Sequence, residues 1–286
     1  MGNKKSMGYV FVKELWVYPV KSFAGISCDR LTFDQTGLLH DRLFVVTNRD
    51  GLFQTQRSHP KMCLMQPHLM NGHWELEWLP TGERITLDET MSKRSSVRVW
   101  KDQVPTLDLG DQISHFVSER LDDSGETSLR LHKILPERLR SVDPRYTDEK
   151  KKIPFAFADG FPLLIANQAS LVDLNRRLVD ADQNTVSMDR FRANIVVDAP
   201  EPFEEDRWLH LNGRDIGVKI VKPCARCVVI NVDQQTGMKS QEPLRTLGGY
   251  RYRKVQKGVI FGQNGFAAAF PSAISRGEKL EVVYRE

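Results

Sequence analysis

The feature that most constrains this chain is its rhythm. Short runs of β-branched and aromatic residues recur from one end to the other, cut at close intervals by turn-forming clusters. Residues 9–18 form the first run, ended by Pro19. Three pairs of runs flank hairpin signals: 43–47 and 52–55 around Asn48-Arg49-Asp50-Gly51, 74–78 and 84–87 around Pro80-Thr81-Gly82, and 208–211 and 216–221 around Asn212-Gly213. Residues 96–100 alternate, with Val97 and Val99 on one face and Arg98 on the other. Strands are also expected at 195–197, 227–232, 259–261 and 280–284. Helical spacing shows in two places only. Residues 111–121 carry a stripe of Ile113, Phe116, Val117 and Leu121 behind Asp111 as cap, and residues 170–178 place Leu171, Leu174 and Leu178 together. Many short strands and few helices predict a mainly β fold with α additions (α+β), built around a β-barrel. A length of 286 residues suits about two domains. Residues 122–130, opening with the polar break 122–125, are the candidate boundary, residues 141–152 read as a long exposed loop, and residues 157–162 as a turn.

Composition excludes several classes. Lys and Arg number 41 against 37 Asp and Glu, a net charge of +4. That excess is too small to argue for nucleic acid, which needs a clustered basic stripe. No run approaches the roughly 20 apolar residues of a membrane helix, and the N-terminus lacks the apolar core of a signal peptide. Met1-Gly2-Asn3-Lys4-Lys5-Ser6 fits an N-terminal acylation pattern, although a solvated leader is the plainer reading. Cys28, Cys63, Cys224 and Cys227 are expected as free thiols in a reducing compartment, the cytoplasm.

Cys224-Ala225-Arg226-Cys227 is the one Cys-x-x-Cys pair. It reads as half of a zinc site, as a dithiol, as two small buried side chains, or as a source of one thiolate for a soft metal. Against zinc, none of the seven histidines makes a ligand-spaced pair, and His210 is the nearest upstream. Elsewhere, cations sit at strand ends: Lys21-Ser22, Asp41-Arg42, Gln56-Arg57 and Phe191-Arg192-Ala193-Asn194. Each alone is an ordinary surface charge. Together with a thiol they describe a place for an anionic cofactor. Glycine-rich nucleotide loops, serine-nucleophile elbows and His-Glu-x-x-His motifs do not occur.

The motifs in register resemble the MOSC proteins, in the branch of the mitochondrial amidoxime-reducing component and its bacterial relatives. The resemblance is carried by Tyr18-Pro19-Val20-Lys21-Ser22, residues 39–46, Gln56-Arg57, residues 157–162, residues 169–175, and Phe191-Arg192-Ala193-Asn194 with 195–197. It continues through residues 205–208, Lys222-Pro223-Cys224-Ala225-Arg226-Cys227, residues 242–247 and Phe261-Gly262-Gln263-Asn264. Ala193 stands where many relatives have proline.

The resemblance implies a β-rich MOSC N-terminal domain over residues 8–125 and a MOSC β-barrel over 126–286, with a molybdenum–pyranopterin cofactor (Mo-molybdopterin) gripped between them. The family's metal ligand and catalytic cysteine matches Cys227, which leaves Cys224 structural. The cofactor contacts match Lys21, Ser22, Arg42, Asp159, Arg192, Asn194, Arg226 and Asn264, with Arg226 stabilising the Cys227 thiolate. The implied activity is reduction of N-hydroxylated small molecules, amidoximes and hydroxylamines, to amidines and amines. Some bacterial relatives carry a fused ferredoxin domain. This chain lacks the four further cysteines of such a domain, so the electrons are expected from a separate ferredoxin- or cytochrome b5-type protein with its reductase. Neither nucleic acid nor an integral membrane segment is expected. Glu201 or the run Glu204–Asp206 is the candidate proton donor. A carrier of cofactor or of a Cys227 persulfide, and a binding module for a phosphorylated ligand, are the alternatives.

Overall fold

In a computed structural model of the chain, residues 7–122, 128–147 and 151–285 are described. The acylation motif and most of the expected boundary lie outside them. Seven strands close into a barrel in the order Leu163–Asn167, Ile195–Asp198, Met7–Val17, Lys279–Tyr284, Trp208–Asn212, Gly217–Arg226 and Gly258–Ala267, the last pairing back onto the first. The N-terminal strand therefore lies between strands from the far end of the chain. The first strand of the segment expected as the N-terminal domain, residues 8–125, is thus a member of the barrel.

Sequence explains how that strand fits. Val10 and Val12 face inward, Tyr9 and Phe11 outward, and then the inward set changes to Leu15 and Val17. A β-bulge between Val12 and Glu14 causes the change, since one extra residue flips every following side chain to the other face. Leu15, Trp208, Ile165, Ile195 and Val282 fill the barrel interior. Each contributes about 1.5–3 kcal/mol by burial. Closure depends on Gly262, whose φ is +75° and where a Cβ would stand 2.7 Å from the Ile165 carbonyl oxygen. Any larger residue would push apart the strands that close the ring.

The helix Gln168–Asp180 covers the barrel with Leu171, Leu174 and Leu178 turned inward. Beside it lies Leu244–Arg251, a helix with no sequence signal because Gly248-Gly249 interrupts its pattern. A second layer contains the four-stranded sheet Phe44–Thr47, Arg130–Ile134, Asp102–Asp108, Lys93–Val99 and the three-stranded sheet Met65–Met70, His73–Trp78, Glu83–Thr86. The helix Asp111–Leu121 packs its expected stripe there. Its cap is Gly110, with Asp111 as the first helical residue, so the expected side-chain cap is absent.

Other local readings also change. The segment expected as strand 227–232 is a 3₁₀ turn, Val228–Asn231, behind Cys227. The preceding strand stops at Arg226 because its partner strand is used up at Val259, and β-propensity without a neighbour makes no strand. The reversal at 48–51 forms, held by Asn48, but its ladder is a single bridge, Thr47 with Phe53. The main partner of Phe44–Thr47 is the distant Arg130–Ile134. Residues 141–152 hold the 3₁₀ turn Pro144–Tyr146, with Val142 buried.

Candidate active site

Three barrel strands and the loops around them meet at one cleft. Lys21 and Ser22, Arg42, Asp159, Arg192, Asn194, Arg226, Cys227 and Asn264 all line it, so the expected cofactor contacts and the expected metal ligand are brought together. The recess encloses about 850 Å³ including the solvent at its mouth. Thr55, Arg57, Phe161, Leu164, Phe191 and Cys224 line it as well. Arg57 was legible as a strand-end cation but was not among the expected contacts.

Five cationic side chains face the cleft against one carboxylate, that of Asp159. Backbone strain places several of them. Ser22 (φ 70°), Arg42 (φ 49°) and Arg192 (φ 55°) all adopt the left-handed conformation that favours glycine. Such positions persist where surrounding structure over-determines them, and they concentrate at functional sites. Asp41 ties together three segments around Arg42. Its buried carboxylate accepts from the Tyr18 backbone N–H (3.0 Å), from Arg42 Nη1 (2.6 Å) and from Asn194 Nδ2 (3.0 Å). Arg42 and Arg192 both lie over the Tyr18 ring, 4.4 and 4.2 Å from its centroid. Burial, and then the neighbouring Arg42, push the Arg192 guanidinium down to about 10.

The remaining groups divide by how fully they are used. The Asn194 amide is spent internally, donating to Asp41 and to the Trp16 carbonyl oxygen and accepting from the Leu164 N–H. It ties strand ends together. Asn264 Nδ2 donates to the Pro223 carbonyl oxygen at 3.4 Å. Lys21 Nζ donates to Asp159 Oδ1 (2.6 Å) and to the Phe157 carbonyl oxygen (2.9 Å). Burial lowers the Lys21 ammonium, and the Asp159 charge works against it. Asp159 projects into the recess with 66% of its side chain accessible. Desolvation acts to raise its carboxyl, but Lys21 and the Trp100 indole N–H (3.1 Å) outweigh this and hold it well below the usual carboxylate range.

Arg226 corrects one expectation. Its Nη1 donates to Cys224 Sγ at 3.1 Å and its Nη2 to the Phe191 carbonyl oxygen at 2.8 Å, so its thiol partner is Cys224 and not Cys227. Cys224 is half-buried at the cleft, Cys227 is exposed at its mouth, and both are free thiols. The proposed proton donors are corrected too. Glu204 and Glu205 are buried, Asp206 pairs with Arg251, and neither these nor Glu201 line the cleft.

Three buried nitrogens on cleft residues have no hydrogen-bond partner: Arg57 Nε, Arg192 Nη2 and Arg226 Nε. Unpaired buried donors of one kind, all cationic, fit an anionic group with several acceptor oxygens. The thiols at one end add a soft-metal donor.

Fold and site thus define a closed β-barrel protein with an anion-receiving cleft that ends in thiols. The profile of the MOSC N-terminal beta barrel domain matches residues 9–124, and that of the MOSC domain matches residues 152–281. The chain belongs to the MOSC family. It is 34% identical to the molybdenum cofactor sulfurase of Danio rerio over 97% of this chain and 35% of that protein. With the sulfurase of Homo sapiens the values are 28%, 98% and 33%. With mitochondrial amidoxime reducing component 2 of Rattus norvegicus they are 33%, 84% and 72%. The chain therefore spans about a third of the length of these sulfurases. Among the described residues, no helix is long and apolar enough to cross a membrane.

Proposed function

We propose that the cleft holds a molybdenum–pyranopterin cofactor with Cys227 as thiolate ligand to the metal, and that the protein reduces N-hydroxylated compounds. The observation that carries this reading is the convergence of Cys227 with five cations, three of which bury an unpaired N–H. Bound there, the cofactor would supply the two-electron change at the N–O bond. In this reading Arg57, Arg192 and Arg226 turn their unpaired donors to the cofactor's phosphate, and Lys21, Ser22 and Arg42 complete the anion cradle. Asp159 stays ionised at neutral pH and would offer Oδ2 as an acceptor to N–H groups of the cofactor, since Oδ1 already receives Lys21 and Trp100. Asn194 and Asp41 act as positioning residues. Cys227 would hold the metal as its thiolate, and its exposed place at the mouth puts it within reach of a small substrate. The overall change is R–NH–OH with two electrons and two protons to R–NH₂ and water.

The test is molybdenum content by elemental mass spectrometry after expression in a host able to make the cofactor. Near one molybdenum per chain, lost in Cys227→Ala and kept in Cys224→Ala, is the expected result. Absence of molybdenum sinks the proposal. A second reading has its own support: the sulfurase of Danio rerio matches 97% of this chain. A carrier with a persulfide on Cys227 would release cyanide-labile sulfur and lose it in Cys227→Ala.

A further inference from the structure

The net charge of this chain is concentrated in one place. Residues 239–257 hold six Lys or Arg and one Glu, a surplus of five, whereas the whole chain has a surplus of four. The rest is therefore one short of neutral. This segment is the helix Leu244–Arg251 and the hairpin tip that follows, and it is bound to the mouth of the cleft. The Leu244 N–H donates to Asn231 Oδ1 (3.0 Å), on the 3₁₀ turn that Cys227 begins. The short strand Tyr252–Arg253 pairs with Gly258 and Val259, and Val259 pairs in turn with Arg226. Lys239 Nζ donates to the Arg57 carbonyl oxygen (2.8 Å) at another point of the rim.

The charges are not equally available. Arg251 turns inward to Asp206, and Arg253 shares that carboxylate at 3.5 Å. Arg245, Lys254 and Lys257 are exposed and have no carboxylate partner among the described residues. Interleaved with them along the chain are exposed apolar side chains: Tyr252 and Val255, the latter 90% accessible; Val228, next to Cys227, is exposed as well. An aromatic and aliphatic centre with free cations around it is the composition of a protein-binding patch. Three free cations release too few counterions to hold nucleic acid firmly at physiological salt.

We propose that this face, from the 3₁₀ turn behind Cys227 to the hairpin tip at Val255, docks an acidic one-electron carrier protein that delivers electrons to the cleft. The proposal rests on the reductase reading. Each turnover takes two electrons and two protons, so two carrier molecules are each oxidised by one electron while one N–O bond becomes N–H and water leaves. Free charge at the rim steers a short-lived encounter, and Tyr252 and Val255 supply the contact that fixes it.

The experiment uses molybdenum-loaded protein and the triple variant Arg245→Glu, Lys254→Glu, Lys257→Glu, none of which lines the cleft. Hydroxylamine reduction is driven either by reduced methyl viologen, a small dye, or by cytochrome b5 or a plant-type ferredoxin. Viologen-driven turnover is expected to stay within about twofold, while the KM for the carrier protein rises about tenfold and its dependence on salt disappears. Calorimetric binding of the oxidised carrier is lost in parallel, and Tyr252→Ala weakens binding without changing the salt dependence. An unchanged carrier KM and salt dependence in the triple variant, with the dye still active, overturns the docking surface. So does saturation of the wild type by neither carrier. Binding to phosphatidylserine vesicles that the triple variant abolishes, with carrier kinetics unmoved, overturns it in favour of a membrane surface. A wild type that the dye cannot drive removes the reductase reading itself, a result distinct from the others.

Discussion

Glu205 permits the most direct quantitative test. It lies on the 3₁₀ turn Glu204–Arg207, wholly buried, with Ser170 Oγ donating at 2.8 and 2.9 Å to its two oxygens. Burial, opposed by backbone and Ser170 hydrogen bonds, pushes its carboxyl from 4.5 up to about 7. A folded-state value above the unfolded one fixes the sign. The contribution to stability is fully present below pH 4.5 and is lost as pH rises through about 7. At roughly 1.4 kcal/mol per unit, the loss is about 3 kcal/mol. Glu205→Gln removes the titration and keeps the shape. Urea unfolding followed by tryptophan fluorescence at pH 5, 6.5 and 8 measures the difference between variant and wild type, in which other titrating groups cancel. That difference should move by about 3 kcal/mol toward the variant between pH 5 and pH 8. A difference that stays constant across this range refutes the reasoning. The consequence reaches the cleft, because Ser170 Oγ also holds the Phe203 N–H, Phe203 packs on Phe261, and Phe261 stacks at 3.8 Å on Phe191, beside Arg192.

Further outcomes follow from other groups. His132, hydrogen-bonded to Thr47 and Thr106, is lowered by burial to about 4; the unfolded chain then takes up protons first, so stability falls as pH drops from 6.5 toward 4. Its ring resonances in an NMR titration should not move above about pH 5. Asp41→Ala strips the carboxylate from beneath Arg42 and should cost about 3–5 kcal/mol in urea unfolding, with Asp41→Asn milder because the amide oxygen can still accept. Arg57→Leu removes an unpaired buried donor and one of the five cleft cations. Pyrophosphate, titrated calorimetrically, should bind about tenfold more weakly to it, and unchanged affinity would exclude Arg57 from the anion site.

Site and fold were legible to different depths. Strand-end cations and the thiol pair stood out because Lys21, Arg42, Arg192 and Cys227 sit beside turn or proline signals that break a strand, where side chains can reach a ligand. The helix 111–121 and the hairpin at 73–86 were equally clear, since both are local patterns. The Leu244–Arg251 helix was hidden by its two glycines, and the acidic run 204–206 read as a surface loop because burial leaves no local mark. The state of Asn194 was also invisible: its amide is spent on Trp16, Asp41 and Leu164, two of them more than 150 positions away.

By itself the sequence determined a β-rich chain with an anion-seeking, thiol-bearing site, because strand periodicity, turn chemistry and residue charge are properties of near neighbours. Tertiary structure alone decided that Met7–Val17 closes a barrel made mostly of C-terminal strands. It also decided that the unpaired donors of Arg57, Arg192 and Arg226 converge. Those outcomes depend on which strand ends share an edge of the barrel. Closure sets that edge through register and a single bulge, across separations that no window along the chain spans.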